Sequence, residues 1–330
     1  MAGAERKAEN DSVSNIREQH HELPGWLALA AAGVLLAGAQ SADACSICRC
    51  GDPTFNALGK DILSATGWRF AFDWDRVAKS QGPADAQDSL VERRYTAVVA
   101  YTAADRLSIV ARLPYSERTL TERSGAETEV TRAAGLADPE IYTQLRLWAS
   151  PFRGDLGRRA DLSLNFGVKT DWGVNDASRA GARLDEHAQP GTGSTDYFAG
   201  LSGYYLLDRR SALFASAQTR LPGRNHFGYR YGRVALANLA YERKLAPRLD
   251  SVVELNYRHA LRDETDTAGT LDGDTGGSVL YLTPRLLVNV GGGVVLRLAA
   301  QVPVARKLYG VQAETTVYNL GFTYSLGASQ

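Results

Sequence analysis

Apolar and polar residues alternate one by one through most of the chain that follows residue 67. The segments 68–75, WRFAFDWD, and 318–326, YNLGFTYSL, both carry an apolar residue at every second position. Because successive side chains of a β-strand point to opposite faces, this period of two predicts strands with one apolar and one polar face. No helical stripe of comparable length follows residue 44. The pattern therefore predicts an all-β protein.

The alternation divides the chain into about twelve segments. They lie at 68–75, 90–102, 107–118, 138–150, 159–172, 195–207, 211–221, 232–245, 250–262, 277–290, 293–307 and 314–327. Short connections such as 103–106 and 208–210 alternate with long polar ones such as 76–89, 119–137 and 308–313. An even strand number with short turns at one end and long loops at the other is typical of an outer-membrane barrel. A soluble β-sandwich also has period-two strands, but it is not expected to sort its connections by length.

We therefore predict a transmembrane antiparallel β-barrel of about 12 strands over residues 67–330. In hydrocarbon every backbone polar group must be paired, so a sheet can span a membrane only when it closes on itself. The apolar faces then contact lipid, with aromatic residues such as Tyr281 at the interfaces, and the polar faces line the lumen. The predicted lumen-lining residues are Arg69, Asp73, Asp75, Arg146, Lys169, Arg220, Glu254, Arg258 and Arg297.

The predicted lumen carries more basic than acidic side chains. A wider count of inward positions adds Lys244 and Arg285 to the basic set and Glu242 to the acidic set, giving twice as many basic residues as acidic ones. Charge of one sign favours permeation of the opposite sign, so this count favours anions. The alternative is that the charges pair across the lumen and close it, because a twelve-stranded barrel is narrow.

An apolar run near the N-terminus, 25–39, is followed by Ala42-Asp43-Ala44. An apolar core before an A-x-A site is typical of a cleaved signal peptide, which we place at 1–44. A short anchoring helix is the alternative, but the run is short for a membrane span. The residues before the run are more acidic than basic, unlike those of a signal peptide, which points to a translation start further in, for example at Val13.

Composition excludes several other classes of protein. The chain has 37 basic and 37 acidic residues and is 44% hydrophobic, so it is neither disordered nor a strongly basic nucleic-acid binder. A mean hydropathy of −0.25 excludes a helical membrane protein with several spans. The predicted location is the outer membrane of a Gram-negative bacterium. The predicted partners are outer-membrane lipid, a small-molecule solute and the barrel-assembly machinery, with no nucleic acid.

The three cysteines, Cys45, Cys48 and Cys50, stand together in the segment CSICRC. This spacing lets two or three thiolates reach one soft metal, so copper and zinc are the candidate ions, and no other cofactor is predicted. No fourth ligand lies nearby. A disulfide with one thiol left over is an alternative in the oxidising periplasm, and lipidation of Cys45 is another. Residues 45–66 are predicted to form a periplasmic segment before the barrel.

Catalysis is not predicted. Outer-membrane phospholipases, which share the twelve-stranded barrel, need a serine and a histidine within hydrogen-bond reach on the lipid face. His187 and His226 fall in loops, and His259 faces outward but is followed two residues later by Leu261. The chain is therefore predicted not to be an enzyme. The acidic loop 263–277 is read as a solvated loop or a weak Ca²⁺ site, and the absence of EF-hand spacing favours the former.

Four segments resemble a known family. They are GLADPEIYTQLRLW (135–148), LNFGVKTDWG (164–173), HAQPGTGSTDYFAGLSGYYLL (187–207) and NLAYERKL with VVELNYRH (238–259). They resemble the outer-membrane transporter family named for the meta-pathway of phenol degradation, over about residues 66–326, and QPGTGSTD is the most specific part. The resemblance implies an outer-membrane barrel that passes small or hydrophobic solutes, without identifying the solute.

The leading functional hypothesis is a channel or transporter for the passive passage of small solutes, with hydrophobic and anionic solutes as candidates. The alternative is a periplasmic metal-binding or redox module that uses the CSICRC segment and is tethered by the barrel. A third hypothesis is a structural or adhesive barrel that acts through its loops.

Overall fold

The structure, a computed structural model, describes residues 66–82, 87–104, 106–124, 127–153 and 157–326. The predicted signal peptide and all three cysteines lie outside these residues. The described residues form twelve long strands. Their bounds are β1 Gly67–Gln81, β2 Asp88–Ala104, β3 Leu107–Ser124, β4 Glu127–Leu136 with Glu140–Ala149, β5 Ala160–Lys169, β6 Asp196–Asp208, β7 Ser211–Pro222, β8 Val234–Ala246, β9 Leu249–Ala260, β10 Gly277–Gly291, β11 Val294–Leu308, and β12 Gln312–Glu314 with Val317–Ser325.

The strands close into a barrel. Each strand pairs antiparallel with its neighbours in sequence, and β12 pairs with β1, where Asp73 lies opposite Gly321. On its other side β1 pairs with β2, where Asp73 lies opposite Thr96. Closure leaves no free edge, as a sheet that crosses hydrocarbon requires. The predicted fold, an antiparallel barrel of about 12 strands, is confirmed.

Exposed and buried positions alternate along the strands, with the polar residues inside. In β1, Trp68 and Phe72 are 48% and 39% exposed, whereas Arg69 and Asp73 are 6% and 3% exposed. A continuous apolar outer surface of this kind needs hydrocarbon around it. The protein is therefore a β-barrel of the Gram-negative outer membrane. In the described part of the chain, no helix is long and apolar enough to cross a membrane.

Long and short connections lie at opposite ends of the barrel, although some of the predicted loops are strand. We call the end that carries the connections 170–195, 223–233 and 261–276 the loop end, and the opposite end the turn end. Strands β3 and β4 extend through most of the predicted loop 119–137. These extensions are rich in charged residues because they lie beyond the apolar band, and in sequence a strand of such low hydrophobicity resembles a loop.

Strand β4 is interrupted at residues 137–139. Pro139 has no N–H to donate to a neighbouring strand, and Asp138 turns its carboxylate inward, where it is 5% exposed. Strand β3 pairs with one part of β4 before the break and with the other part after it. The break therefore brings a buried carboxylate to the loop end of the barrel.

Candidate functional site: the polar barrel interior

The predicted lumen residues all face the interior of the closed barrel. Eight of the nine are buried, and the ninth, Arg146, keeps only 9% of its side chain exposed. The buried residues are Arg69, Asp73, Asp75, Lys169, Arg220, Glu254, Arg258 and Arg297. Lys244 of the wider count lies on the same face of β8 as the buried Leu236 and Ala240, but at the turn end, where its side chain is exposed.

Glu140 joins a basic residue of the neighbouring strand to one of a distant strand near the loop end. Its carboxylate accepts a hydrogen bond from Arg112 of β3 at 3.0 Å and another from Arg220 of β7 at 2.6 Å. Arg220 thus reaches past β5 and β6 to a strand three positions away. Ion pairs of this reach fit the narrow interior of a twelve-stranded barrel.

Glu314 of β12 forms a second cluster of this kind. Lys79 of β1 lies 3.4 Å from its carboxylate, and Arg258 of β9 and Tyr281 of β10 donate hydrogen bonds to it. The prediction that Tyr281 belongs to an aromatic interface with lipid is therefore wrong. Val279 and Thr283, two positions to either side, are fully buried, so this face of β10 points inward.

Three further ion pairs lie closer to the turn end of their strands. They are Arg297 Nη2 with Asp73 Oδ1 at 2.8 Å, Arg285 Nε with Glu254 Oε1 at 2.9 Å, and Arg146 Nε with Asp161 Oδ2 at 3.4 Å. Removing one partner of a buried ion pair leaves the other charge uncompensated, which is strongly destabilising, so each of these charges depends on its partner.

The interior is close to balanced in charge, which corrects the predicted basic excess. Among the described residues, these interior ion pairs join ten basic side chains to eight acidic ones, and the buried Arg69 and Asp75 add one charge of each sign. The acidic partners are Asp73, Glu92, Asp138, Glu140, Asp161, Asp196, Glu254 and Glu314. The sequence count missed six of these because they stand near strand ends, where weak alternation does not reveal which face a residue occupies.

Uncharged polar side chains form a continuous row across eight adjacent strands, which we call the neutral belt. It takes one residue from each strand from β4 to β11: Gln144, Asn165, Ser202, Ser216, Asn238, Asn256, Thr283 and Gln301. Ser202 and Ser216 lie opposite each other in register, which makes the row continuous between β6 and β7. Sequence analysis missed the belt because each member is an ordinary polar residue, and only the barrel register aligns them.

Hydrogen bonds connect most of the belt. Asn238 Nδ2 donates to Ser216 Oγ at 2.9 Å, and Asn256 Nδ2 donates to Asn238 Oδ1 at 2.9 Å. Thr283 Oγ1 then donates to Asn256 Oδ1 at 2.6 Å. On the other side of the serine pair, Ser202 Oγ accepts from Asn165 Nδ2 at 2.8 Å and from Gln144 Nε2 at 3.4 Å. Ion pairs lie on both sides of this chain along the strands.

Three of the segments that carry the family resemblance meet at Asp138. Its Oδ1 accepts a hydrogen bond from the Gly173 N–H at 3.0 Å, and its Oδ2 accepts one from the Thr192 N–H at 2.7 Å. A Cβ on Gly191 would lie 2.8 Å from Gly173 Cα, so glycine is needed where the two parts of the loop cross. The QPGTGSTD segment therefore fixes the loop 170–195 over the interior.

The long loops also hold one another. Tyr229 donates a hydrogen bond to Asp263 Oδ2 at 2.7 Å, which joins the loop 223–233 to the loop 261–276. Tyr231 donates a hydrogen bond to the Glu186 carbonyl at 3.1 Å, which joins the loop 223–233 to the loop 170–195. The reading of 263–277 as a wholly solvated loop is therefore wrong at its start, where Asp263 is buried.

Glu264 forms an ion-pair cluster on the same loops. Arg230 and Arg224 both donate to its carboxylate, the latter at 2.5 Å. The hydrogen bond from Arg230 is the main reason that the pKa of Glu264 is lowered from its ordinary value, with the positive charges of both arginines acting in the same direction. No group of three or more His, Cys, Asp or Glu side chains in the described ranges could hold a metal ion.

A serine does lie beside the outward-facing histidine, contrary to the sequence argument. His259 Nδ1 is 2.9 Å from Ser278 Oγ, and the two residues face each other across β9 and β10. Ser278 lies on the neighbouring strand, so alternation along β9 does not reveal this contact. Within the described residues no carboxylate hydrogen-bonds to the second ring nitrogen, so the group that orients the base in a nucleophilic triad is not in place.

Comparison with known proteins shows the fold. An outer-membrane channel from Pseudomonas putida F1 superposes with a TM-score of 0.63 at 12% identity, over 81% of this chain and 98% of that one. The translocator domain of the autotransporter NalP from Neisseria meningitidis gives a TM-score of 0.47 at 13% identity, over 82% and 92% of the two chains. The Ralstonia pickettii toluene transporter TbuX gives 0.43 at 10% identity, over 80% and 90%. No protein-family model and no curated protein matches the sequence, so membership of the phenol-degradation family stays a prediction.

Proposed function

We propose that the protein is a passive outer-membrane channel for small solutes. The observation that carries the proposal is the polar interior, in which some buried groups have no hydrogen-bond partner in the described part of the protein. They include both amide atoms of Gln301, Thr96 Oγ1 and Ser163 Oγ. Leaving such a group unpaired in a dry interior costs about 1–3 kcal/mol, whereas an interior that water and polar solutes enter incurs no such penalty.

The described similarity supports the proposal. The Pseudomonas putida protein, which shares the fold over most of both chains, is itself an outer-membrane channel. The near-balance of interior charge argues against a strong preference for anions, which the sequence count had favoured. The resemblance to the phenol-degradation family keeps small hydrophobic solutes among the candidates.

Conductance of the purified full chain in planar bilayers tests the proposal. We expect reproducible single-channel steps, because the interior offers a polar path through the membrane. Ser202→Trp should lower the step size several-fold by filling that path. Leu201→Trp is the matched control, because Leu201 is the neighbouring residue on the lipid face and is 46% exposed. No steps from the full chain or from a variant without residues 45–66, or equal steps from both Trp variants, would overturn the proposal.

A further inference from the structure

The neutral belt has hydrogen-bonding groups left over after its internal bonds are made. Ser202 Oγ and Ser216 Oγ both accept hydrogen bonds from belt amides, yet neither hydroxyl donates to another group within the described residues. Gln301 is 1% exposed, and neither atom of its amide has a hydrogen-bond partner in the described part of the chain. The belt therefore retains unused donors and acceptors, and none of its members is charged.

Part of the belt is accessible from inside the barrel. Ser202, Ser216 and Asn238 are only half-buried. Leu239, the next residue after Asn238, points the opposite way into the lipid and is 51% exposed. Because the side chains of a strand alternate between faces, the accessible surface of Asn238 opens into the lumen. A solute inside the barrel can reach these groups directly.

Ion pairs confine the charges to either side of the belt. Along β9, Asn256 stands between Glu254, paired with Arg285, and Arg258, paired with Glu314. A charged solute that leaves water at the belt exchanges its hydration for neutral dipoles, which is costly. An uncharged solute with several hydroxyl or amide groups exchanges its hydrogen bonds with water for hydrogen bonds with the belt, at little net cost.

We propose that the neutral belt binds uncharged solutes that carry several hydroxyl or amide groups and selects them during passage. The inference rests on the proposed channel function and names the solute class of the same interior. The mixture of amides and hydroxyls supplies donors and acceptors together, which matches a polyhydroxylated compound better than a carboxylate or an ammonium ion.

Conductance in KCl with added glucose or potassium gluconate tests the inference on the full chain. The two probes have nearly the same size and differ in charge. We expect glucose to reduce the conductance along a saturating curve, beyond the linear effect of bulk viscosity. Gluconate should show no saturation over the same concentrations, because the belt offers no cation that is free to pair with it.

Two variants of the belt separate binding from folding. Asn238→Leu removes the amide at similar size, and Ser216→Ala removes only a hydroxyl. Each should raise the glucose concentration at half-saturation about threefold to tenfold, the effect of losing a neutral hydrogen bond. Leu239→Ala, on the lipid face, is the matched control and should leave the curve unchanged. A gel-mobility shift on boiling confirms that each variant is a folded barrel.

The outcomes distinguish the inference from the proposed function. If the wild-type chain gives no KCl conductance, the channel proposal itself fails. If it conducts but glucose and gluconate act alike, the channel stands and the selective belt is overturned. The belt is also overturned if Ser216→Ala and Leu239→Ala give the same glucose curve as the wild type.

Discussion

Lys169 Nζ lies 2.9 Å from Asp138 Oδ2, and both side chains are almost fully buried. The pair joins the loop end of β5 to the interruption in β4. The same ammonium group donates a hydrogen bond to the Ser194 carbonyl at 2.7 Å, and it also lies 3.3 Å from Asp196 Oδ2. One lysine thus fastens the C-terminal part of the QPGTGSTD segment. The loop 170–195 is held by this buried ion-pair cluster together with an apolar contact, in which Ala188 packs with Leu90 and Leu120.

Gly193→Ala should destabilise that loop. Gly193 has φ +64, and a Cβ there would lie 1.5 Å from Asn175 Nδ2, so the substitution adds a clash to the strain of a left-handed backbone. Gly181→Ala is the matched control, because Gly181 has φ +82 but nothing within 4 Å of its Cβ position. Hydrogen exchange should increase over 170–195 in the first variant much more than in the second, and equal exchange in both would contradict the packing described here.

The Glu264 cluster should loosen in acid. The lowered pKa of Glu264 means that its ionised form is stabilised in the folded loop. Its contribution to the stability of the loop is therefore complete above the ordinary pKa of 4.5 and is lost as the pH falls through the lower folded pKa. Hydrogen exchange over the loops 223–233 and 261–276 should therefore rise below that pH. In Glu264→Gln it should already be raised at neutral pH and should change less on acidification, and an identical pH profile in both proteins would refute the assignment.

The sequence predicted the strands and their faces well but the pairing of the charges poorly. Residues such as Asn238 and Leu239 alternate because one faces the lumen and the next faces lipid. The alternation along the sequence is therefore enough to predict a barrel. The partners of Arg220 and Arg258 lie on strands three positions away, and that distance depends on strand tilt and shear, which no single strand encodes. For the same reason, the His259–Ser278 contact and the neutral belt emerge only from the register.

The near-balance of interior charge predicts weak ion selectivity. The reversal potential of the wild-type channel under a KCl gradient should lie near zero, rather than at the anion-selective value that the sequence count implied. Glu254→Gln leaves Arg285 without its carboxylate partner and should shift the potential toward anion selectivity. Arg285→Gln should shift it in the opposite direction. Shifts of the same sign would show that this pair does not face the path of the ions.

The cysteine segment carries a prediction that rests on sequence alone. Only thiolates bind soft metals, so binding by Cys45, Cys48 and Cys50 should depend on reduction. We expect fewer than three free thiols in the purified protein, and uptake of Cu(I) or Zn²⁺ after mild reduction. Three free thiols before reduction would rule out a disulfide. Equal metal uptake by the wild type and Cys48→Ser would rule out the metal site.

Cysteine accessibility at two adjacent positions tests the central claim, that the interior is an open polar path, most directly. In a chain whose three native cysteines are replaced by serine, Asn238→Cys and Leu239→Cys place one thiol on each face of β8. A charged, membrane-impermeant thiosulfonate should modify Cys at 238 and reduce the single-channel current, and it should leave the lipid-facing Cys at 239 unmodified. Modification of neither thiol, or of the one at 239 alone, would contradict the account.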